Sequence, residues 1–120
     1  MKWKLLLYIA IAYIILHIPF IGRFLRATNT MIHESGHAIV ALLMKGHVEN
    51  IYLFSNTEGI TRATSTSFFG GLLTGIAGYT FSALMIVLLA HFWKRCRYRF
   101  IYTILLAFTF ADLIFWVRNI

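Results

Sequence analysis

His33, Glu34 and His37 stand in the order His-Glu-x-x-His, within the run His33-Glu34-Ser35-Gly36-His37. On a helix, residues four apart share a face, so the two imidazoles can each aim a nitrogen at one point. Two nitrogen donors about 2 Å from a shared centre suit Zn²⁺. Glu34, one step round the helix from His33, can reach a water at that centre rather than the ion itself. Zinc lowers the pKa of such a water to about 7, so a neighbouring carboxylate can take its proton. The motif therefore offers two ligands and a base, and a third ligand must come from elsewhere.

With 5 His and 4 acidic residues in the chain, this pattern arises by chance in roughly one such sequence in a hundred, so its surroundings decide its weight. Asn29 and Thr30 just before it are N-cap residues, and Ile32, Ala38, Ile39, Ala41, Leu42 and Leu43 continue a helix. Gly46, after Met44-Lys45, is a C-terminal stop. The spacing predicts a helix over about 28–45. The competing reading is a polar helix face with two incidental histidines. It must explain three ionisable side chains inside an apolar segment, where such groups are costly and usually functional. Ser35 has no base and orienting acid arranged for it, so a serine nucleophile is not expected.

The elements that position these residues are of membrane type. Hydrophobic residues make up 60% of the chain and charged ones 12%, against about 45–50% and about 25% in soluble domains. The mean hydropathy is +0.77. The expectation is an all-α polytopic membrane protein, a single domain over 1–120, with about four membrane helices and a small β-hairpin after the His-Glu-x-x-His helix. A net charge of +7 would point to nucleic acid in a soluble domain. Here the cations stand at the ends of apolar runs, as Lys2/Lys4, Arg23/Arg26, Lys94/Arg95/Arg97/Arg99 and Arg118. That is the pattern of anchors at anionic headgroups, so the expected partner is the lipid bilayer and not nucleic acid. The single cysteine, Cys96, excludes an internal disulfide.

Spans are expected at about 5–21, 28–45, 68–92 and 100–117, with 22–27 as a polar break. The run 5–21 behind Lys2 and Lys4 starts like a secretory leader. It is long for one and no small-x-small cleavage site follows, so a retained span is expected. Pro19 should stop or kink it, and His17 should hydrogen-bond another helix. Residues 46–67 read as a hairpin: Val48 and Ile51–Phe54 favour one strand, and Ile60, Thr61, Thr64 and Thr66 the other. Ser55-Asn56-Thr57-Glu58-Gly59 between them is turn chemistry. Such a hairpin can hold an extended peptide by strand addition. Gly71 and Gly75, continued by Gly78 and Ser82, form a small-residue stripe expected to receive the helix that carries His33.

The order of these elements is similar to that of the site-2 protease family of intramembrane zinc metallopeptidases, especially its short bacterial members. The matching residues run from Asn29 to Ala38, then Gly46-x-Val48, Glu58-Gly59-Ile60-Thr61 and Ala77-Gly78-Tyr79. The likeness covers roughly residues 25–85, with a weaker echo at Trp116-Val117-Arg118-Asn119. The resemblance implies that His33 and His37 bind Zn²⁺ and that Glu34 is the base. It also implies a membrane-associated polypeptide substrate, presented as an added strand by the hairpin at about 46–67, and a multi-pass place in a bacterial cell membrane. In the family a third ligand, an aspartate, comes from a later helix within a motif such as Leu-Asp-Gly, which this chain lacks. Its sole aspartate, Asp112, is one choice of third ligand; its other reading is a helix–helix hydrogen bond. The chain stops at Ile120 directly after a span, and a fragment whose third ligand lies further on is the alternative. Two other functions compete. One is an inactive scaffold or pseudo-protease that binds client helices through the Gly71/Gly75 face. The other is a small transporter or channel subunit using His17, His91 and Asp112.

Overall fold

A computed structural model describes residues 2–117. In chain order the elements are α1 (Lys2–His17), α2 (Pro19–Leu43), β1 (His47–Leu53), β2 (Gly59–Thr64), α3 (Phe68–Lys94) and α4 (Tyr98–Phe115). The four helices and the hairpin match the expectation from sequence, but the boundaries of the first two helices do not.

Pro19 begins a helix rather than only ending one. Its missing N–H costs nothing at the first helical position, and it holds the preceding residue extended. Ile18 is the N-cap, at φ −67° and ψ 118°. The axes of α1 and α2 meet at 99°, and Arg26 Nη1 donates across this elbow to the Leu16 carbonyl at 3.1 Å. The polar break expected at 22–27 is absent, because Arg23-Phe24-Leu25-Arg26-Ala27 are helix formers with no proline among them. Asn29 and Thr30 therefore lie inside α2 instead of capping it. His17 does not bridge helices: its Nδ1 donates to Tyr13 O of α1 at 2.7 Å.

By length and composition α3 and α4 can each cross a membrane, and α1 with α2 adds a third span if the bent pair counts as one. At 16 residues, α1 falls short of the roughly 20 that a bilayer core requires. None of its side chains is buried, so Leu5, Leu6 and Ile9 present apolar surface of the sort that lipid covers. Arg118 and Asn119, expected at an interface, lie outside the described residues.

Helix α2 closes with paired bonds from Lys45 N to Leu42 O (3.0 Å) and Gly46 N to Ala41 O (2.8 Å). This is a Schellman ending with Lys45 in the left-handed position, at φ 60°. Ser67 caps α3 by accepting from Gly70 N at 3.0 Å. The strands pair antiparallel, with an irregularity between Val48 and Asn50. β2 ends at Thr64, so Thr66 falls outside it. Thr66 instead donates to Met44 O at 3.2 Å.

The small core lies where β1 crosses the back of α2, with Val48 and Ile51 against Ala38, Ala41 and Val117. Ile51 N donates to Trp116 O at 2.8 Å, and Ile51 bridges Val117 in parallel. The chain after α4 thus occupies the second edge of β1. Among the described residues β2 pairs only with β1, which leaves its outer edge open.

Candidate metal centre

The site forms where α2 and α3 approach through glycines. A Cβ at Gly36 would lie 2.9 Å from Ala77 O, and one at Gly78 would run into both site histidines. Gly75 has nothing within 4 Å, and Gly71 meets only Ser65, at 3.6 and 3.7 Å. The expected stripe is therefore right about the partner helix and about Gly78, but wrong about Gly71 and Gly75. Rotation of α3 about its axis decides this: Gly70, Ala77, Gly78 and Met85 form its buried face.

His37 Nδ1 lies 2.6 Å from Thr74 O. A carbonyl can only accept, so Nδ1 carries the proton, and neutral His37 keeps the lone pair on Nε2. That bare nitrogen faces His33 Nε2 at 3.1 Å. Two nitrogens on one tetrahedral zinc ion stand about 3.3 Å apart, given bonds of about 2.0–2.1 Å. Glu34 is buried, and its Oε2 accepts from Thr61 Oγ1 of β2 at 2.6 Å. Ligand atoms of His33, Glu34 and His37 all lie within 4.8 Å of one another. A neutral imidazole with its lone pair directed inward, a second imidazole beside it and a carboxylate form a donor set that fits Zn²⁺. The Tyr79 ring stands edge-on to His33, with centroids 4.6 Å apart.

Three elements thus share the work. Helix α2 supplies the three side chains, a backbone carbonyl of α3 sets one tautomer, and β2 orients the carboxylate. Gly59 of β2 packs so closely that a Cβ there would meet Glu34 Cγ at 2.8 Å. Sequence reasoning did not single out Thr61 or Thr74 for these roles. Thr61 closes the run Glu58-Gly59-Ile60-Thr61, whereas a backbone carbonyl gives no signal in a sequence.

Asp112 is not brought into this group. Its Oδ2 accepts from Ser35 Oγ at 2.5 Å, and Ser35 is two residues from each histidine, about 200° round the helix. Asp112 is 1% exposed, and among the described residues its Oδ1 has no hydrogen-bond partner. The Asp112 carbonyl accepts from Trp116 N and Val117 N at 3.0 and 2.8 Å. Asp112 therefore joins α4 to the back of α2.

Two openings flank the histidines. A cavity of about 380 Å³ lies beside His33, against Phe54, Glu58 and Tyr79. Another of about 240 Å³ lies on the His37 side, between β2 and α3, against Thr61, Ala63, Gly71 and Gly75.

Helices apolar enough to cross a bilayer suit a membrane protein, and the His-Glu-His group among them could hold a metal ion. The chain matches the peptidase M50B-like family model over residues 6–120 and belongs to that family, in agreement with the site-2 protease resemblance. No curated protein and no solved structure matches it.

Proposed function

We propose that the protein hydrolyses peptide bonds of membrane-associated polypeptides at a zinc ion held by His33 and His37, with Glu34 as general base. The observation that carries this reading is the His37–Thr74 hydrogen bond, which turns a bare Nε2 toward His33 Nε2 beside the Glu34 carboxylate. When bound, zinc supplies a Lewis acid that polarises a carbonyl oxygen and acidifies water. Glu34 takes a proton from the attacking water and returns it to the leaving amine. Thr61 occupies Oε2 of that carboxylate, leaving Oε1 for the transferred proton. Asp112, bonded to Ser35 behind α2, is left out of this ligand set.

The substrate binds extended, as a third strand on the open edge of β2. That edge carries unpaired backbone groups and leads past both histidines, and the corresponding edge of β1 is already filled by Trp116 and Val117. The protein works within a bilayer, and a bacterial cell membrane is the setting that the family resemblance suggests.

Glu34→Gln tests the mechanism. The variant should keep zinc at the parent's stoichiometry and lose about 10²–10⁴-fold in cleavage rate; cleavage at the parent's rate would refute the base assignment. The same preparations separate this reading from a scaffold. A scaffold's hold on client helices would survive His33→Ala, whereas the peptidase would lose both metal and activity.

A further inference from the structure

The hairpin tip carries a carboxylate that the proposed reaction does not use. Glu58 is one of 4 acidic residues set against 11 lysines and arginines, and it lines the cavity of about 380 Å³ beside His33. Its place is fixed from several sides. Phe54 N donates to Glu58 O at 2.8 Å. The Asn56 side chain accepts from Glu58 N at 3.2 Å and donates to Glu58 Oε2 at 2.8 Å. Thr30 Oγ1 donates to Thr57 O at 2.6 Å, which ties the tip to α2 one turn before His33. Among the described residues no lysine or arginine forms an ion pair with Glu58.

The rest of the cavity wall complements this charge. Phe54 and Tyr79 are both exposed into it, and Asn29 adds an amide. Two aromatic side chains and a carboxylate lining one cavity suit a lysine or arginine side chain, whose stem can pack on the rings while its head reaches the acid. A cationic head would meet the carboxylate oxygen that Asn56 leaves free, an apolar side chain would gain nothing from it, and an acidic one would be repelled.

We propose that this cavity is a subsite for a basic side chain of the substrate, with Glu58 as its specificity-determining residue; this rests on the peptidase reading above. A strand laid along β2 passes the cavity at Gly59 and Ile60 before it reaches the Thr61–Glu34 contact. The basic residue therefore stands a few positions from the scissile bond, on the side of the hairpin tip. Polypeptides carry lysine and arginine where they leave a bilayer, so the subsite would set where along an emerging chain the cut falls.

The test uses the full chain with zinc, as Glu34→Gln, in a neutral detergent. The probes are fluorescent 12-residue peptides of valine, threonine and alanine, with one lysine, methionine or glutamate moved through successive positions. At one position the lysine peptide should bind about tenfold more tightly than the methionine peptide. Glu58→Gln should remove that preference while leaving the methionine peptide unaffected, and Glu58→Lys should shift it to glutamate. A preference that survives Glu58→Gln, or none at any position, overturns the proposal. Loss of zinc in Glu58→Gln would overturn it too, by making Glu58 a ligand. Cleavage of the same peptides by the parent is scored separately. A Glu58-dependent lysine preference without cleavage would sustain the subsite and sink the peptidase reading; cleavage indifferent to Glu58 would do the reverse.

Discussion

A methyl group at position 78 would have to share space with both site imidazoles. Built on the backbone of Gly78, it would stand 2.5 Å from His37 Nε2 and from His33 Cε1. Ordinary contact begins near 3.4 Å, so each ring must retreat by about 1 Å, against a tolerance of about 0.2 Å in metal–ligand distance. Gly78→Ala should therefore weaken zinc binding by at least about 100-fold, or about 2.7 kcal/mol. Stability should move the other way. The displaced atoms are the free ends of side chains, and alanine is favoured over glycine inside a helix by up to about 1 kcal/mol. The assay pairs a chelator-competition titration of zinc with a thermal melt in the same detergent. Gly75→Ala, on the same helix with nothing within 4 Å, is the control and should bind zinc as the parent does. If Gly78→Ala held zinc within threefold of the parent, α3 would not close over the histidines as described.

Thr61→Val removes the hydrogen bond that orients Glu34 and should lower cleavage about tenfold with zinc retained, as measured by kcat and metal content. Asp112→Ala should keep zinc, because Asp112 faces Ser35 on the far side of α2, and should cost about 1–3 kcal/mol of stability. Zinc lost from that variant would contradict the placement of Asp112. Ser67→Ala removes the cap of α3 and should destabilise by about 1 kcal/mol in the same melts.

Much of the architecture was legible because it depends on local chemistry. The spacing of His33, Glu34 and His37 fixes three side chains relative to one another on any helix. Pro19 forces a break in the backbone, and the polar tract at 55–59 turns the hairpin. The polar break expected at 22–27 failed for a local reason as well. Arginines among helix formers give charge without interrupting the backbone, so Asn29 and Thr30 were left in mid-helix with their capping chemistry unused there. Thr30 instead spends its hydroxyl on the hairpin tip.

The sequence by itself determined the donor set, the helix that carries it and the apolar surroundings, since each follows from residue type and spacing along one segment. Only the tertiary structure decided which way each helix is turned. That rotation placed Gly78 rather than Gly71 or Gly75 against the imidazoles, and Asp112 behind α2 rather than beside the histidines. It also brought the Thr74 carbonyl to His37 and Trp116 to the edge of β1. Backbone groups are the same at every residue, so a tautomer or a strand edge that depends on them leaves no mark in the sequence.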